Sequence, residues 1–225
     1  MSLDTNTDSA DFEARLHEAS PILDGLRKRI IESGERCEGN SFMYGGATLE
    51  YTPEFKNKQK NLYACGKHAT RILEIGFNAG HSSLLFLLAN DTSKLTVFDI
   101  NIHKYTRPCL EYLQSLFPGR IEFFAGDSMK TVPEYHTAHP DARFDLIHVD
   151  GSHEREYVLG DMENVRKMST LDTIVVLDDD NDATIREINQ MYEDKGRIRR
   201  VEGVLPTQLC THLIVQWTSL GEWEK

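Results

Sequence analysis

From Arg71 onward, short apolar runs alternate with amphipathic stretches, and no other feature of the chain limits its fold as much. The runs Arg71–Gly76, Lys94–Asp99, Arg120–Ala125, Phe144–Asp150 and Thr173–Asp178 are rich in Ile, Leu, Val and Phe and short enough to be strands. Helical patterns separate them near Gly80–Ala89, Thr106–Phe117, Ser128–Glu134, Glu154–Met168 and Asp182–Lys195. A helix between two strands returns the chain to the same edge of the sheet, so the strands run parallel. Two last strands, near Arg197–Val204 and Thr211–Thr218, have only Leu205-Pro206 and a short polar loop between them. The expectation is a seven-stranded, mostly parallel α/β sheet with helices on both faces and the last strand antiparallel.

The first part of the chain has a different rhythm. Phe12, Leu16, Ala19, Leu23, Leu26 and Ile30 recur at helical spacing between Asp11 and Glu32, with a break near Ser20-Pro21. Gly34 to Tyr51 reads as a loop, and a helix is expected from Pro53 to about His68. The chain therefore divides into a helical segment over 1–68, serving as substrate lid or dimer face, and a sheet domain over 69–225. Tyr44, Tyr51, Phe55 and Tyr63 are candidates for an aromatic lid, with core packing as the alternative.

Charge and cysteine content exclude several functions. A net charge of −11 leaves no basic face of the kind that neutralises phosphates, so nucleic acid is not an expected partner. No apolar run is long enough to span a bilayer, and residues 1–11 are polar, without a signal-peptide core. Cys37, Cys65, Cys109 and Cys210 form no C-x-x-C pair, which fits reduced thiols in a cytoplasmic protein.

The chemistry gathers at strand ends. The first strand runs into Glu74-Ile75-Gly76-Phe77-Asn78-Ala79-Gly80-His81-Ser82, where two glycines bracket a tight turn into a helix. Glycine lacks Cβ, so the backbone turns sharply there and a ligand can approach it. Asn78 and His81 stand where the dinucleotide fingerprint G-x-G-x-x-G needs its second and third glycines, so a pyrophosphate is disfavoured. The second strand ends in Asp99, 19 residues after Gly80, a carboxylate placed to accept both hydroxyls of a ribose, or else to cap the following segment. The third ends before Asp127-Ser128, where Asp127 is placed to cap the next helix.

The fourth strand ends at Asp150, followed by Gly151-Ser152-His153, and the fifth stops at Asp178-Asp179-Asp180-Asn181-Asp182. Parallel neighbours bring Asp150 and Asp178 to one edge, where gathered carboxylates repel unless cations or protons intervene. Hard oxygen donors suit Mg²⁺, which makes Asp150, Asp178 and Asp179 candidate ligands, while Asp180 and Asp182 are assigned to helix capping. His153 titrates near neutrality and is a candidate general base, with metal ligand and surface residue as alternatives. His81 and His148 have weaker claims.

The E-x-G-x-x-x-G turn and the acid ending the second strand resemble motif I of class I S-adenosylmethionine-dependent methyltransferases, with their Rossmann-like fold. Asp150 with Asp178-Asp179 resembles the metal triad of the catechol O-methyltransferase-like group, in which Asp-Asn is usual for the last two ligands. Asp150-Gly151-Ser152-His153 is similar to the D-G-x-H element of the sugar and macrolide O-methyltransferases. His153 lies at the spacing where the catechol-type enzymes carry a lysine. The resemblance covers about Arg71 to Leu177. It implies a cofactor site of Glu74, Gly76, Phe77, Asn78, Gly80, Ser82, Asp99, Asp127, Ser128 and Asp150, the last also facing the methionine amine.

It further implies catalysis by His153 and Asp150, S-adenosylmethionine with a divalent cation, and O-methylation of a small hydroxylated acceptor. Two other functions stay open: a nucleotide- or sugar-nucleotide-using enzyme on a related sheet, and an inactive cofactor-binding adaptor. Specificity is expected from Asp11–His68 and the Leu205–Leu209 loop, and a homodimer from the N-terminal helices.

Overall fold

In the computed structural model, which describes residues 2–3, 9–46, 50–208 and 210–221, neighbouring strand residues sink into opposite faces of one sheet. Ile72, Leu95, Val97, Leu146 and Val176 enter one hydrophobic cluster. Leu73, Phe98, Ile147, Val175 and Val215 enter a second on the other face. Both faces are dry, which is why these strands read as continuous apolar runs rather than as an alternation.

The strands are β1 (Arg71–Ile75), β2 (Lys94–Asp99), β3 (Ile121–Ala125), β4 (Leu146–Val149), β5 (Ile174–Leu177), β6 (Ile198–Arg200) and β7 (Leu213–Trp217). They lie in the order β3-β2-β1-β4-β5-β7-β6. The pairs β1–β2, β1–β4, β2–β3 and β4–β5 are parallel, and β7 is antiparallel to both β5 and β6. The expected Rossmann-like sheet is the one observed. The chain leaves β1 for β2 and β3 and then returns to β4 on the other side. The boundary between β1 and β4 is thus the switch point, where crossovers diverge and leave a crevice beyond the carboxyl ends of the strands.

Helices α1 (Ser9–Glu18), α2 (Ser20–Ser33), α3 (Lys56–Gly66), α4 (His81–Ala89) and α5 (Thr106–Leu116) cover one face. Helices α6 (Ser128–Ala138), α7 (Arg155–Lys167) and α8 (Ala183–Asp194) cover the other. The expected boundary at residue 68 separates helices from sheet without dividing the core. Phe12, Leu26 and Leu62 share a cluster with Ile72 and Leu84, and each such fully buried side chain is worth roughly 1.5–3 kcal/mol. Among the described residues, no helix is long and apolar enough to cross a membrane.

Some boundaries differ from expectation for local reasons. A 3-10 turn at Pro53–Phe55 precedes α3, which ends at Gly66. Helix α6 continues past Glu134 to Ala138 despite Pro133. Burial of Val132 and Tyr135 on either side outweighs the backbone bond that proline cannot donate. Strand β6 stops at Arg200 rather than Val204, because Glu202 turns away to accept the Leu3 N–H at 2.8 Å. Leu209, the end of the expected specificity loop, lies outside the described residues, as do residues 4–8 of the N-terminal segment.

Candidate active site

Gly76 ends β1 at the switch point with φ +93°, and a Cβ there would stand 1.9 Å from the carbonyl oxygen of Asp150. Only a glycine lets the two strand ends come this close. Asn78 continues the turn with φ 53° and ties it outward, its Nδ2 donating to Gly39 O at 3.0 Å. Asp99 holds the turn from the neighbouring strand. Its Oδ2 accepts the N–H groups of Phe77 (2.8 Å) and Asn78 (2.9 Å), and its Oδ1 accepts that of Asn101 (2.6 Å). A carboxylate offers about four acceptor sites, so these three bonds leave room for about one ribose hydroxyl rather than the two expected.

Above this turn opens a cavity of about 580 Å³. Of the expected cofactor residues, Gly76, Asn78, Asp99, Asp127, Ser128 and Asp150 line it. Asp127 also caps α6, accepting the Met129 N–H at 2.9 Å, so both roles expected for it are compatible. Ile100 and Ile102 lie at the rim, strongly exposed. The loop before α3 contributes Glu38, Gly39 and Asn40. That loop is latched by His103, whose ring nitrogens lie 2.7 Å from Glu35 and 3.3 Å from Glu38.

Four expected cofactor residues are placed elsewhere. Phe77 is buried against Phe123 at 5.8 Å, and an added Cβ on Gly80 would strike the Phe77 ring. Glu74 is completely buried, its carboxylate accepting from Ser82 Oγ at 2.5 Å and from Ser83 Oγ. Phe77, Gly80, Glu74 and Ser82 therefore shape the turn from behind instead of lining the cavity. The aromatic lid does not form either. Phe55 and Tyr63 are buried, Tyr51 packs on Phe42, and none of these, nor Tyr44, lines the cavity.

The carboxylate edge holds residues that spacing did not reveal. His148 is buried between Glu74 Oε1 (3.0 Å from Nδ1) and Asp178 Oδ2 (3.2 Å from Nε2). Burial lowers its pKa, but the two carboxylates outweigh burial and raise it to about 10, so the ring is an imidazolium. Lys58 of α3, also buried, puts its Nζ 2.7 Å from Asp178 Oδ1. Burial acts against the ammonium, yet Asp178, Asp150 and Asp179 hold its pKa above the ordinary lysine value. Burial alone would raise the Asp178 pKa, but Lys58 and His148 drive it well below the carboxylate range. Asp150 is half-buried, and its pKa is raised by burial and by Asp178.

His153 lies half-exposed on the cavity rim, Nε2 3.0 Å from Asp179 Oδ2 and Nδ1 3.6 Å from Asp182 Oδ2. Its pKa is raised to about 9, first by the bond to Asp179. Asp182 also caps α8, accepting from Thr184 and Ile185 N–H, as expected. Asp180 does not cap: its Oδ1 receives the Asn189 Nδ2 at 2.8 Å.

These engagements bear on the divalent cation. The ligand atoms of His148, Asp150 and Asp178 lie within 4.8 Å of one another, a grouping a metal ion could use. His148 replaces Asp179 in that group, since Asp179 turns to His153. However, both Asp178 oxygens already face cations, Lys58 and His148, and Oδ1 also accepts the Asp179 N–H at 2.9 Å. Like charges about 4 Å apart repel by roughly 4 kcal/mol per unit charge at an effective dielectric near 20, and a divalent ion doubles that. The donor set, with the ammonium among it, does not fit a divalent ion.

Helix α3 also ties down the Leu205-Pro206 segment and the loop at Ser41. Asn61, fully buried, exchanges bonds with the Leu205 backbone (2.8 and 2.9 Å), and Asn57 donates to Pro206 O at 2.8 Å. Gln59 donates to Ser41 O at 3.0 Å. The only trace of this in the sequence is the polar run Lys56-Asn57-Lys58-Gln59-Lys60-Asn61, which reads more simply as a solvated face.

Residues 73–179 match a family described as a methyltransferase domain. No curated protein matches the chain. Among solved structures, the fold is similar to an O-methyltransferase from Bacillus cereus in complex with SAH (S-adenosylhomocysteine), at 15% identity, 89% of this chain, 91% of that chain and TM-score 0.62. It is similar to the SAH-bound Podospora anserina methyltransferase PaMTH1, at 16% identity, 95% and 97% coverage and TM-score 0.59. It is also similar to CalS11, a TDP-rhamnose 3'-O-methyltransferase in calicheamicin biosynthesis, at 20% identity, 72% and 78% coverage and TM-score 0.57. At such identities the likeness speaks for the fold, and the chemistry rests on the matched domain. Residues 73–179 thus carry the match to a methyltransferase domain, set in the Rossmann-like fold that this chain shares with solved O-methyltransferases.

Proposed function

We propose that this enzyme methylates a hydroxyl group of a small acceptor. The observation that carries this reading is that one cavity is lined both by the Gly76–Asn78 turn with Asp99 and by Lys58, Asp150 and His153. A cofactor end and a proton-handling end thus share one space. The named neighbours that are O-methyltransferases, one acting on a nucleotide-linked sugar, support the same class of acceptor.

When bound, S-adenosylmethionine supplies a methyl group on a sulfonium leaving group. The chain's task is then positioning. Gly76 and Asn78 present backbone beside the methionine part, and Asp99 uses its remaining acceptor site on the ribose. Asp127 and Ser128 face the base. Asp150, half-buried beside Lys58, takes the hydroxyl proton, while His153, an imidazolium at neutral pH, holds Asp179 at the rim. No step runs through a divalent ion.

The acceptor enters between the Glu38–Asn40 loop and the Leu205-Pro206 segment that α3 holds in place. Cytoplasmic residence and a homodimer through α1 and α2 belong to the same proposal, and light scattering tests the dimer. The deciding experiment is calorimetric titration with S-adenosylhomocysteine, followed by labelled methyl transfer to a panel of sugars, phenols and aliphatic alcohols. Binding with transfer to a hydroxyl supports the reading. Binding with no transfer to any acceptor favours the inactive adaptor, and absence of binding removes the cofactor site.

A further inference from the structure

The charged groups behind the cavity form an alternating series: Glu74, His148, Asp178, Lys58. Ser82 and Ser83 close one end on Glu74, and Lys58 closes the other, bordering the cavity. An ammonium is driven into the protein interior only where a carboxylate and further partners replace its water. Here Lys58 is 3% exposed on a helix that precedes the matched domain. Its partner, Asp178, is the very acid whose place at the end of β5 suggested a metal ligand.

We propose that Lys58 is the cation of this active site. Its ammonium occupies the charge position that a divalent ion would otherwise fill among Asp150, Asp178 and Asp179, and it donates a hydrogen bond to the acceptor oxygen. The proposal rests on the O-methyltransferase reading above and deepens it.

Three features support the assignment. Lys58 Nζ meets Asp178 Oδ1 at 2.7 Å, full contact for a charge-assisted bond, so the pair is formed rather than approached. The second Asp178 oxygen and both nitrogens of His148 are engaged with one another and with Glu74, which leaves His148 no lone pair to offer a metal ion. An ammonium carries three donors, and Lys58 borders the cavity, so it can face both Asp178 and an acceptor oxygen. As the hydroxyl proton moves to Asp150, negative charge develops on that oxygen, and a fixed positive donor stabilises it without recruiting an ion from solution, until the bond to the methyl carbon forms and the sulfonium–methyl bond breaks.

The test uses the full chain and Mn²⁺ as a probe, read by electron paramagnetic resonance, with S-adenosylhomocysteine heats measured in parallel. The expected result is no Mn²⁺ binding by wild type at millimolar concentration, with or without S-adenosylhomocysteine, and methyl transfer indifferent to EDTA. Lys58→Ala is expected to acquire an Mn²⁺ site that Asp178→Asn abolishes, since the acids then lack their counter-charge. Lys58→Met is expected to keep its affinity for S-adenosylhomocysteine while kcat falls by about 100-fold, the scale of one lost oxyanion donor.

Stoichiometric Mn²⁺ binding by wild type, lost in Asp178→Asn, overturns the proposal, and it needs no lysine variant to fold. Unchanged kcat in a folded Lys58→Met overturns it as well. Absence of S-adenosylhomocysteine heat in wild type would instead bring down the cofactor reading on which it rests.

Discussion

Asp99 is where the cofactor reading and the structure pull against each other, and Asp99→Asn separates them. The carboxylate receives three backbone N–H groups at 2.6–2.9 Å, two on Oδ2 and one on Oδ1. Asparagine keeps the shape but replaces one acceptor by an N–H₂ donor. With the new nitrogen in the Oδ2 position, two donors face it; in the Oδ1 position, only the Asn101 N–H does. The second orientation is the less costly and sacrifices one bond to a charged acceptor, about 1.5–3 kcal/mol. For a protein of this size that is a fall in Tm of roughly 3–12 °C, at about 2–4 °C per kcal/mol.

The cofactor loses at most the single remaining acceptor site, so the Kd for S-adenosylhomocysteine rises about 10–100-fold, at 1.4 kcal/mol per tenfold. Differential scanning calorimetry reads the first quantity and isothermal titration the second. An unchanged Tm together with a Kd raised beyond about 1,000-fold would refute the reasoning. It would mean that the carboxylate serves the ribose with both oxygens and that the three amide bonds carry little.

Other perturbations follow from the same geometry. Gly76→Ala places a Cβ 1.9 Å from Asp150 O at φ +93°; urea denaturation is expected to show a loss of at least about 3 kcal/mol, and S-adenosylhomocysteine binding is lost. His81 is buried and its pKa is lowered by burial to about 3. Because that is below the unfolded value near 6.5, its contribution is complete above about pH 6.5 and is lost as pH falls, about 2 kcal/mol by pH 5. His81→Phe, packed against Phe42 and Tyr51, removes that part of the acid sensitivity, read as a smaller drop in urea midpoint between pH 8 and pH 5. The pH–rate profile identifies the proton acceptor: Asp150 gives a rising limb near neutrality that Asp150→Asn abolishes, whereas a limb near 9, lost in His153→Gln, would transfer the role to His153.

The fold was legible because its strands are buried on both faces: Ile72 and Leu73, or Val175 and Val176, must both be apolar to serve opposite cores. The strand ends were legible for a related reason. Glycine at 76 and acids at 99 and 150 stand where apolar runs stop, and backbone geometry carries them to one edge. Glu74 and Ser82 misled because adjacency to a motif is not orientation: the period of two in a strand turns Glu74 away from the cavity that Ile75 borders. His148 was hidden by the same alternation, since a histidine inside an apolar strand gives no hint of the two carboxylates waiting for it. Lys58 was unreadable for a deeper reason. Its partner lies 120 residues away, and a lysine among polar neighbours on a helix resembles any solvated face.

That lysine also explains why the N-terminal helices cannot be regarded as a detachable lid. The matched domain supplies Asp150, Asp178 and Asp179 from the ends of β4 and β5. Facing Asp178, it supplies one buried cation, His148. The second comes from α3, and the same turns of α3 hold Leu205, Pro206 and Ser41 through Asn61, Asn57 and Gln59. A shift of α3 by one residue would rotate Lys58 away from Asp178 and release the Leu205-Pro206 segment together. One element therefore sets both the charge balance at Asp178 and the position of the Leu205-Pro206 segment, so variation in α3 moves the two jointly rather than separately.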